Sequence, residues 1–290
     1  MRIVILGAGG RLGAALMREY AKKFDVVGFN HAQLDLANTK HVRERLSSLD
    51  FDLLINCAAF TNVDLSESKR DEAFAVNAEA PKVIAEICRD KRAKLIHIST
   101  DYVFDGEKRE PYIEDDVARP ISVYGKSKRA GERFVLETDD RHLVVRASWV
   151  FGPDRPSFID AMIKRAREES HLEAIADKFS TPTYTRDIAE ALPHLFDVDA
   201  GIVHFANGGE CSWQEYAQHA LDCCVKLGVP LCATSVGALK MAEMKNWVAR
   251  RPVYSVLATG KYEALSGGAP RSWRDAVIDY IERSYSKSKK

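Results

Sequence analysis

Short apolar runs alternate with longer amphipathic segments along the first half of the chain. The runs are continuously apolar, as is typical of strands covered on both faces, and they occupy residues 3–6, 26–29, 53–57, 95–99 and 143–146. The segments between them, 12–23, 40–49, 71–91 and 125–137, have the character of helices. In the third of these, apolar residues recur every three or four positions, which gives a helix one apolar face. The alternation predicts an α/β fold, a Rossmann-like doubly wound parallel sheet.

Beyond Trp149, strand-like and helix-like segments no longer alternate regularly. Prolines at 153, 156 and 182 and the turn sequence Asn207-Gly208-Gly209 divide the chain into shorter elements. A further strand is expected at 202–205, and amphipathic helices are expected at 213–227 and 273–285. We therefore predict a dinucleotide-binding domain over residues 1–150, to which segments near 180–206 return. Residues 151–290 are expected to form mainly a smaller C-terminal substrate-binding lobe.

Composition and charge exclude several classes of protein. The 290 residues carry 42 Lys+Arg and 42 Asp+Glu, so the basic surplus of a nucleic-acid-binding protein is missing. The basic tail at Lys287, Lys289 and Lys290 is interpreted as a frayed terminus rather than a membrane anchor. Apolar runs fall short of the ~20 residues of a membrane span, and the amino terminus lacks the pattern of a signal peptide. Six cysteines without zinc-site spacing are expected to be reduced thiols, so we predict a cytoplasmic protein without a metal.

A glycine-rich turn follows the first predicted strand and opens the first predicted helix. In Gly7-Ala8-Gly9-Gly10-Arg11-Leu12-Gly13, the glycines at 7, 10 and 13 have G-x-x-G-x-x-G spacing. Glycines let the backbone approach a pyrophosphate, and the helix amino terminus offers free N–H groups to it. A plain glycine-rich turn is the alternative, but the position between strand and helix favours a dinucleotide site.

The choice of dinucleotide depends on the end of the second strand. An acid there binds the adenosine ribose and favours NAD, but this strand ends Gly28-Phe29-Asn30-His31. Arg11 lies within the glycine loop and is expected to meet a 2′-phosphate. We therefore predict NADP(H), with NAD(H) as the alternative, and Asp35 is expected to lie by the adenine.

Tyr124 and Lys128 lie four residues apart at a predicted helix start, so their side chains share one face. A free tyrosine has a pKa too high for an efficient acid at neutral pH, and a nearby ammonium would lower it. The pair is therefore a candidate general acid. Thr100 follows the fourth predicted strand, at the edge of the sheet where α/β proteins bind ligands. Its hydroxyl would hold a substrate carbonyl.

Taken together, these motifs resemble an extended short-chain dehydrogenase/reductase, and more narrowly the dTDP-4-dehydrorhamnose reductase family. The resemblance spans about residues 1–285, and the stretches 99–106 and 146–152 are its most specific parts. It implies catalytic roles for Thr100, Tyr124 and Lys128. The cofactor-binding residues that it and the motifs indicate are Gly7, Gly10, Arg11, Leu12, Gly13, Asn30, Asp35, Leu36, Ala58, Ala59, Phe60, Thr61, Tyr124 and Lys128. The substrate-binding residues are Thr100, Asp101, Trp149 and Arg251.

The function that the resemblance implies is an NAD(P)H-dependent reduction of a nucleotide-linked 4-keto-6-deoxysugar. Hydride would reach C4 of the sugar, and Tyr124 would protonate the oxygen. Two alternatives stay open: a non-catalytic regulatory subunit of the methionine adenosyltransferase type, and a nucleotide-sugar epimerase or dehydratase. The expected partner is the nucleotide sugar, without nucleic acid or membrane, and a homodimer is left open. A core aromatic is the alternative for Trp149, and a surface salt bridge is the alternative for Arg251.

Overall fold

A computed structural model describes residues 1–199 and 201–286, so the basic tail at Lys287, Lys289 and Lys290 lies outside the described residues. The strands are β1 Arg2–Leu6, β2 Asp25–Phe29, β3 Leu53–Asn56, β4 Lys94–Thr100, β5 Leu143–Ala147, β6 Val150–Phe151, β7 Glu173–Ile175, β8 Phe179–Ser180, β9 Thr183–Tyr184, β10 Ile202–His204, β11 Cys211–Ser212 and β12 Gly237–Leu239. The α-helices are α1 Arg11–Tyr20, α2 Thr39–Ser47, α3 Val63–Ser68, α4 Arg70–Phe74, α5 Ala80–Lys91, α6 Val123–Thr138, α7 Phe158–Glu168, α8 Thr185–Ala191, α9 Trp213–Lys226, α10 Gly260–Ser266 and α11 Trp273–Tyr285.

Six parallel strands form the central sheet in the order β2-β1-β3-β4-β5-β10. The chain passes outward from β1 to β2 and then returns to the other side of β1 as β3. This reversal creates a crevice at the carboxyl ends of β1 and β3, where Leu6 and Asn56 are register partners. The predicted doubly wound parallel sheet is confirmed, and β10 adds the sixth strand beside β5.

Both faces of the sheet are covered, which explains why its strands are continuously apolar. Alternate residues of β1 point to opposite faces. Ile3 and Ile5 join a buried cluster with α1 and α8, whereas Val4 and Leu6 join a cluster with α2, α5 and α6. All four side chains are at most 1% exposed, so the glycine loop that follows β1 starts from a rigid support.

The segment predicted as one helix over 71–91 is interrupted. It begins as α4, widens into a π-helical turn at Ala75–Glu79 and continues as α5. The turn presents Asn77 to the backbone of Phe60, and the Asn77 carbonyl oxygen lies 2.1 Å from where a Cβ on Gly131 would be. Such a turn adds one residue to a helix and is frequent at functional sites. Apolar spacing alone gives no sign of it.

The C-terminal lobe is built around α7, α9 and α11, which share one buried aromatic and aliphatic cluster. Helix α9 begins in a capping box, in which Ser212 Oγ accepts from Glu215 N and the Glu215 carboxylate accepts from Ser212 N. Short strand pairs accompany these helices, with β6 parallel to β9 and β8 antiparallel to β11. The predicted boundary at residue 150 stays a prediction. Among the described residues, no helix has both the length and the apolar character needed to cross a membrane.

Candidate active site

A cavity of about 580 Å³ lies at the carboxyl ends of the sheet strands, and Trp149, Val150 and Arg155 contribute to its wall. It brings together residues from the glycine loop, the end of β2, the loop after β3, the end of β4 and the start of α6. The predicted site residues in its wall are Gly7, Gly10, Arg11, Leu12, Asn30, Asp35, Leu36, Ala58, Ala59, Thr61, Thr100, Tyr124, Lys128 and Trp149. Gly13, Phe60, Asp101 and Arg251 are not part of the wall. The wall also includes residues that the sequence motifs do not single out, among them Gly9, His31, Cys57, Val76, Ile98, Ser99 and Arg155.

The glycine loop has a geometry that side chains would block. Gly7 has a φ of +75°, and a Cβ there would lie 2.7 Å from Ala58 N. A Cβ on Gly13 would lie 2.1 Å from Gly7 O, so this glycine lets α1 approach the turn rather than facing a ligand. Gly10 caps α1 without a side-chain hydrogen bond. The free N–H groups of the first turn are therefore open to the cavity, which suits the pyrophosphate of a dinucleotide.

The sequence predicts that Arg11 contacts a 2′-phosphate, whereas in the structure its guanidinium is bonded to backbone carbonyl oxygens. Its guanidinium donates to the carbonyl oxygens of Val150 at 3.1 Å, Arg155 at 3.2 Å and Pro156 at 2.6 Å. These carbonyls belong to the segment that covers the loop, far along the chain. Arg11 therefore lines the cavity while its charged end holds that segment in place.

The segment that follows β2 contributes Asn30 and Asp35 to the cavity wall. The Asn30 side-chain oxygen accepts from Gln33 N at 3.1 Å, and Gln33 Oε1 accepts from Asn30 N at 3.0 Å. Asp35 accepts from Ala37 N and lies 3.7 Å from His31 Nδ1. The end of β2 thus carries an amide that is already engaged, and the nearest acid sits further along an exposed loop.

The loop after β3 is held by two buried asparagines. Asn56 Oδ1 accepts from Ala58 N at 3.1 Å. Asn77 accepts from Phe60 N at 2.8 Å, donates to Phe60 O at 3.0 Å and donates to Ser127 Oγ at 3.0 Å. Asn77 therefore ties the loop to α6. The backbone of Phe60 is fixed by these two bonds, and Phe60 itself is not part of the cavity wall.

Helix α6 places Tyr124 and Lys128 on one face. Ser122 caps the helix by accepting from Gly125 N at 3.1 Å. Burial raises the pKa of Tyr124 to about 12, and a hydrogen bond with the Thr100 hydroxyl opposes that rise. The Tyr124 phenol is therefore protonated at neutral pH. Its oxygen is next to the Thr100 hydroxyl. This raised pKa contrasts with the prediction that Lys128 lowers it.

The Lys128 ammonium is held by buried hydrogen-bond partners on β4. Its Nζ donates to Ile98 O at 2.7 Å and lies 3.2 Å from His97 Nε2. Burial lowers the pKa of Lys128 to about 8, while the Glu132 carboxylate and the Cys57 thiol oppose that fall. Burial also holds the pKa of His97 well below its usual range, so this ring is neutral. Asn56 Nδ2 lies 3.2 Å from the other ring nitrogen, which fixes the ring beneath the lysine.

Asp101 anchors the floor behind Thr100. Its carboxylate accepts from Ser255 Oγ at 2.6 Å, from Ser180 Oγ at 3.3 Å and from Thr100 Oγ1 at 3.0 Å. Burial raises its pKa, and the buried Lys178 ammonium opposes that rise. Asp101 therefore joins β4 to two segments of the C-terminal lobe, and its predicted contact with substrate stays a prediction.

Trp149 lies in the same cavity wall as Thr100 and Tyr124, in a backbone conformation with a φ of +43°. Its ring packs against Trp213 at 5.3 Å and against Tyr216 at 4.7 Å. Trp149 thus both joins the aromatic core and faces the cavity.

The side chain of Arg251 is held by an ion pair and by an aromatic ring. Its Nη2 lies 2.6 Å from Asp64 Oδ2, and its guanidinium lies 3.9 Å from the centre of the Trp247 ring. Arg251 therefore forms a salt bridge with Asp64, and a role toward a diphosphate stays a prediction.

No group of His, Cys, Asp and Glu side chains with the arrangement of a metal site occurs in residues 1–199 and 201–286.

Known proteins match the chain over nearly its whole length. The family described as "RmlD substrate binding domain" matches residues 1–286. The spore coat polysaccharide biosynthesis protein SpsK of Bacillus subtilis (strain 168) is 35% identical over 98% of each chain. A dTDP-4-dehydrorhamnose reductase of Aggregatibacter actinomycetemcomitans is 33% identical over 95% of this chain and 97% of its own. The crystal structure of dTDP-4-dehydrorhamnose reductase from Bacillus anthracis in complex with NADP is 32% identical, with a TM-score of 0.90, and covers 97% of this chain and 99% of that chain. The resemblance found in the sequence is confirmed, and the chain belongs to the RmlD substrate binding domain family.

Proposed function

We propose that the protein is an NADP(H)-dependent reductase of a nucleotide-linked 4-keto-6-deoxysugar, with dTDP-4-dehydrorhamnose as the first substrate to test. One observation carries the proposal. A protonated phenol, a threonine hydroxyl and a buried lysine line the same cavity as a glycine loop at a helix amino terminus. The relatives that are named reductases, and the NADP-bound structure among them, support the same reaction class.

The residues fit a nicotinamide dinucleotide. The amino terminus of α1 and the side-chain-free surface at Gly7 and Gly10 would hold the pyrophosphate. The wall next to the crevice between β1 and β3 is formed by Ala58, Ala59 and Thr61. Their side chains are small, so a flat ring would be able to approach them. When bound, such a cofactor supplies the hydride.

The chain's own contribution is a proton and a fixed geometry. Tyr124 holds its proton because burial raises its pKa to about 12, and it would deliver that proton to the forming sugar oxygen. Thr100, which is hydrogen-bonded to the phenol, would orient the carbonyl. The Lys128 ammonium would supply positive charge where negative charge develops. Trp149, whose ring lines the same cavity, would pack against the sugar.

The deciding experiment is a panel of nucleotide-linked 4-keto sugars assayed with NADPH and with NADH. We expect loss of absorbance at the nicotinamide band in proportion to the sugar reduced, and faster loss with NADPH. An epimerase or dehydratase would instead retain its cofactor through gel filtration and show no net oxidation. A regulatory subunit would copurify with a synthetase and oxidise no cofactor. Either of these results would overturn the proposal.

The pH dependence should report Lys128. Its pKa of about 8 means that the ammonium is present below that pH and is lost above it, whereas Tyr124, with a pKa of about 12, stays protonated throughout. We expect kcat/KM to be level below about pH 8 and to fall about tenfold for each further pH unit. In Lys128→Arg, whose guanidinium stays charged, the residual activity should lack this fall. A wild-type profile that is flat up to about pH 10 would contradict the assignment.

A further inference from the structure

We propose that Arg155 binds the 2′-phosphate of the dinucleotide and so sets the preference for NADPH over NADH. This inference rests on the proposed function, because it assigns the phosphate-reading residue of the same cavity. It gives Arg155 the role that the sequence pattern assigned to Arg11.

The position of Arg155 is defined by its contact with the glycine loop. Its Nε donates to Gly9 O at 2.7 Å. Its Nη2 lies 4.0 Å from the point where a Cβ on Gly9 would begin, and the Cβ of Asn30 lies 3.2 Å from the same point. The guanidinium therefore sits between the glycine loop and the end of β2. In a Rossmann fold this is where the adenosine ribose lies, and where an arginine accommodates a 2′-phosphate.

Among the described residues, the guanidinium of Arg155 has no acidic partner within ion-pair distance. Arg18 and Arg251 form ion pairs with Asp154 and Asp64, whereas within residues 1–199 and 201–286 Arg155 forms none. Its Nε–H is used by Gly9, and it forms part of the cavity wall. The two Nη groups thus remain for a ligand, in the forked geometry that suits a phosphate.

The surroundings favour a phosphate over free ribose hydroxyls. An acid at the end of β2 would accept from those hydroxyls and repel a phosphate. Here that position is Asn30, whose side-chain oxygen is already taken by Gln33 N. Asp35, the acid in this part of the wall, has His31 3.7 Å away. Arg155 therefore brings a positive charge to the glycine loop on the side of Asn30, where no acid opposes it at the end of β2.

Arg155 is also held in place before any ligand arrives. Arg11 donates to the carbonyl oxygens of Val150, Arg155 and Pro156, and Arg18 pairs with Asp154. The backbone on both sides of Arg155 is thus tied to α1, the helix whose amino terminus faces the pyrophosphate. Binding a phosphate there costs little ordering of the chain. This also explains what Arg11 does in place of contacting the phosphate.

The test compares adenine nucleotides that differ in the 2′-phosphate, measured by calorimetry with the full chain. Wild-type protein should bind 2′,5′-ADP more tightly than 5′-AMP. In Arg155→Gln the affinity for 2′,5′-ADP should fall about tenfold to a hundredfold, while the affinity for 5′-AMP stays within about twofold. Arg155→Lys, which keeps the charge but loses the fork, should fall in between. Arg165→Gln is the matched control, since Arg165 is an exposed arginine of α7 that pairs with Glu169.

The outcomes separate this inference from the proposed function because nucleotide binding needs no sugar substrate. Equal losses for both nucleotides in Arg155→Gln, or an unchanged preference for 2′,5′-ADP, would overturn the role of Arg155 even if the protein reduces a keto sugar. A selective loss would support it even if the sugar panel fails. Equal melting temperatures of Arg155→Gln and Arg165→Gln would show that the change in binding is local.

Discussion

Replacing Tyr124 by phenylalanine is expected to lower kcat for ketone reduction by about 10²- to 10⁴-fold. The ring that packs against Tyr102 at 5.7 Å remains, so the shape of the cavity is kept. What disappears is the proton that burial keeps on the phenol and the hydrogen bond to Thr100. Because the phenylalanine ring still fills the wall, NADPH binding should stay within a few-fold. Single-turnover reduction and cofactor titration measure the two effects separately.

The neighbouring Tyr102→Phe variant is the control for this experiment. Tyr102 is also a tyrosine whose pKa is raised by burial, but its hydroxyl lies toward Arg251 rather than in the cavity wall. Its loss should therefore change the rate far less than the loss of the Tyr124 hydroxyl. Near-normal single-turnover reduction by Tyr124→Phe would exclude the phenol as the proton donor. A collapse of NADPH binding would mean that the ring change disturbs the site itself.

The parts of this site that the sequence predicted are those set by local pattern. The glycines at 7, 10 and 13 come directly after a strand. The alternation of strands and helices was therefore enough to predict that they lie at the carboxyl end of β1. Tyr124 and Lys128 are one helical turn apart, and Thr100 ends a strand. Each of these placements depends on neighbours within a few residues, which a periodicity argument can read.

The remaining features depend on contacts between distant parts of the chain. Arg155 lies 146 residues from Gly9, and Arg11 turns toward carbonyls about 140 residues away. His97 lies beneath Lys128 because β4 passes under α6, and its own strand gives no hint of that partner. The pKa of Tyr124 was predicted in the wrong direction because spacing reveals the lysine but not the burial of both groups. A pattern of residue types cannot supply desolvation, which decides these values.

Beneath the site, one buried ion pair joins the catalytic helix to the sheet. Arg146 on β5 donates from Nε to Glu132 Oε1 at 2.8 Å and from Nη2 to Glu132 Oε2 at 2.8 Å. Their side chains are 1% and 0% exposed. Ser99, next to Thr100, also donates to Glu132 Oε1, at 2.6 Å. The pair therefore links α6, β4 and β5 one turn below Lys128, whose ammonium is favoured by the Glu132 carboxylate.

Arg146→Met is expected to destabilise the protein by about 3–5 kcal/mol, because it leaves the Glu132 carboxylate buried without its bidentate partner. Urea unfolding measures the change. Arg129, at 3.3 Å from Glu132 and partly exposed, is too peripheral to replace the lost partner. The double variant Arg146→Met with Glu132→Leu removes both charges, so it should recover much of the loss and be more stable than the single variant. If the single variant lost less than about 1 kcal/mol, or if the double variant were the less stable of the two, Glu132 would have to find another partner or a proton on its own. The pair would then not be what holds the catalytic helix to the sheet.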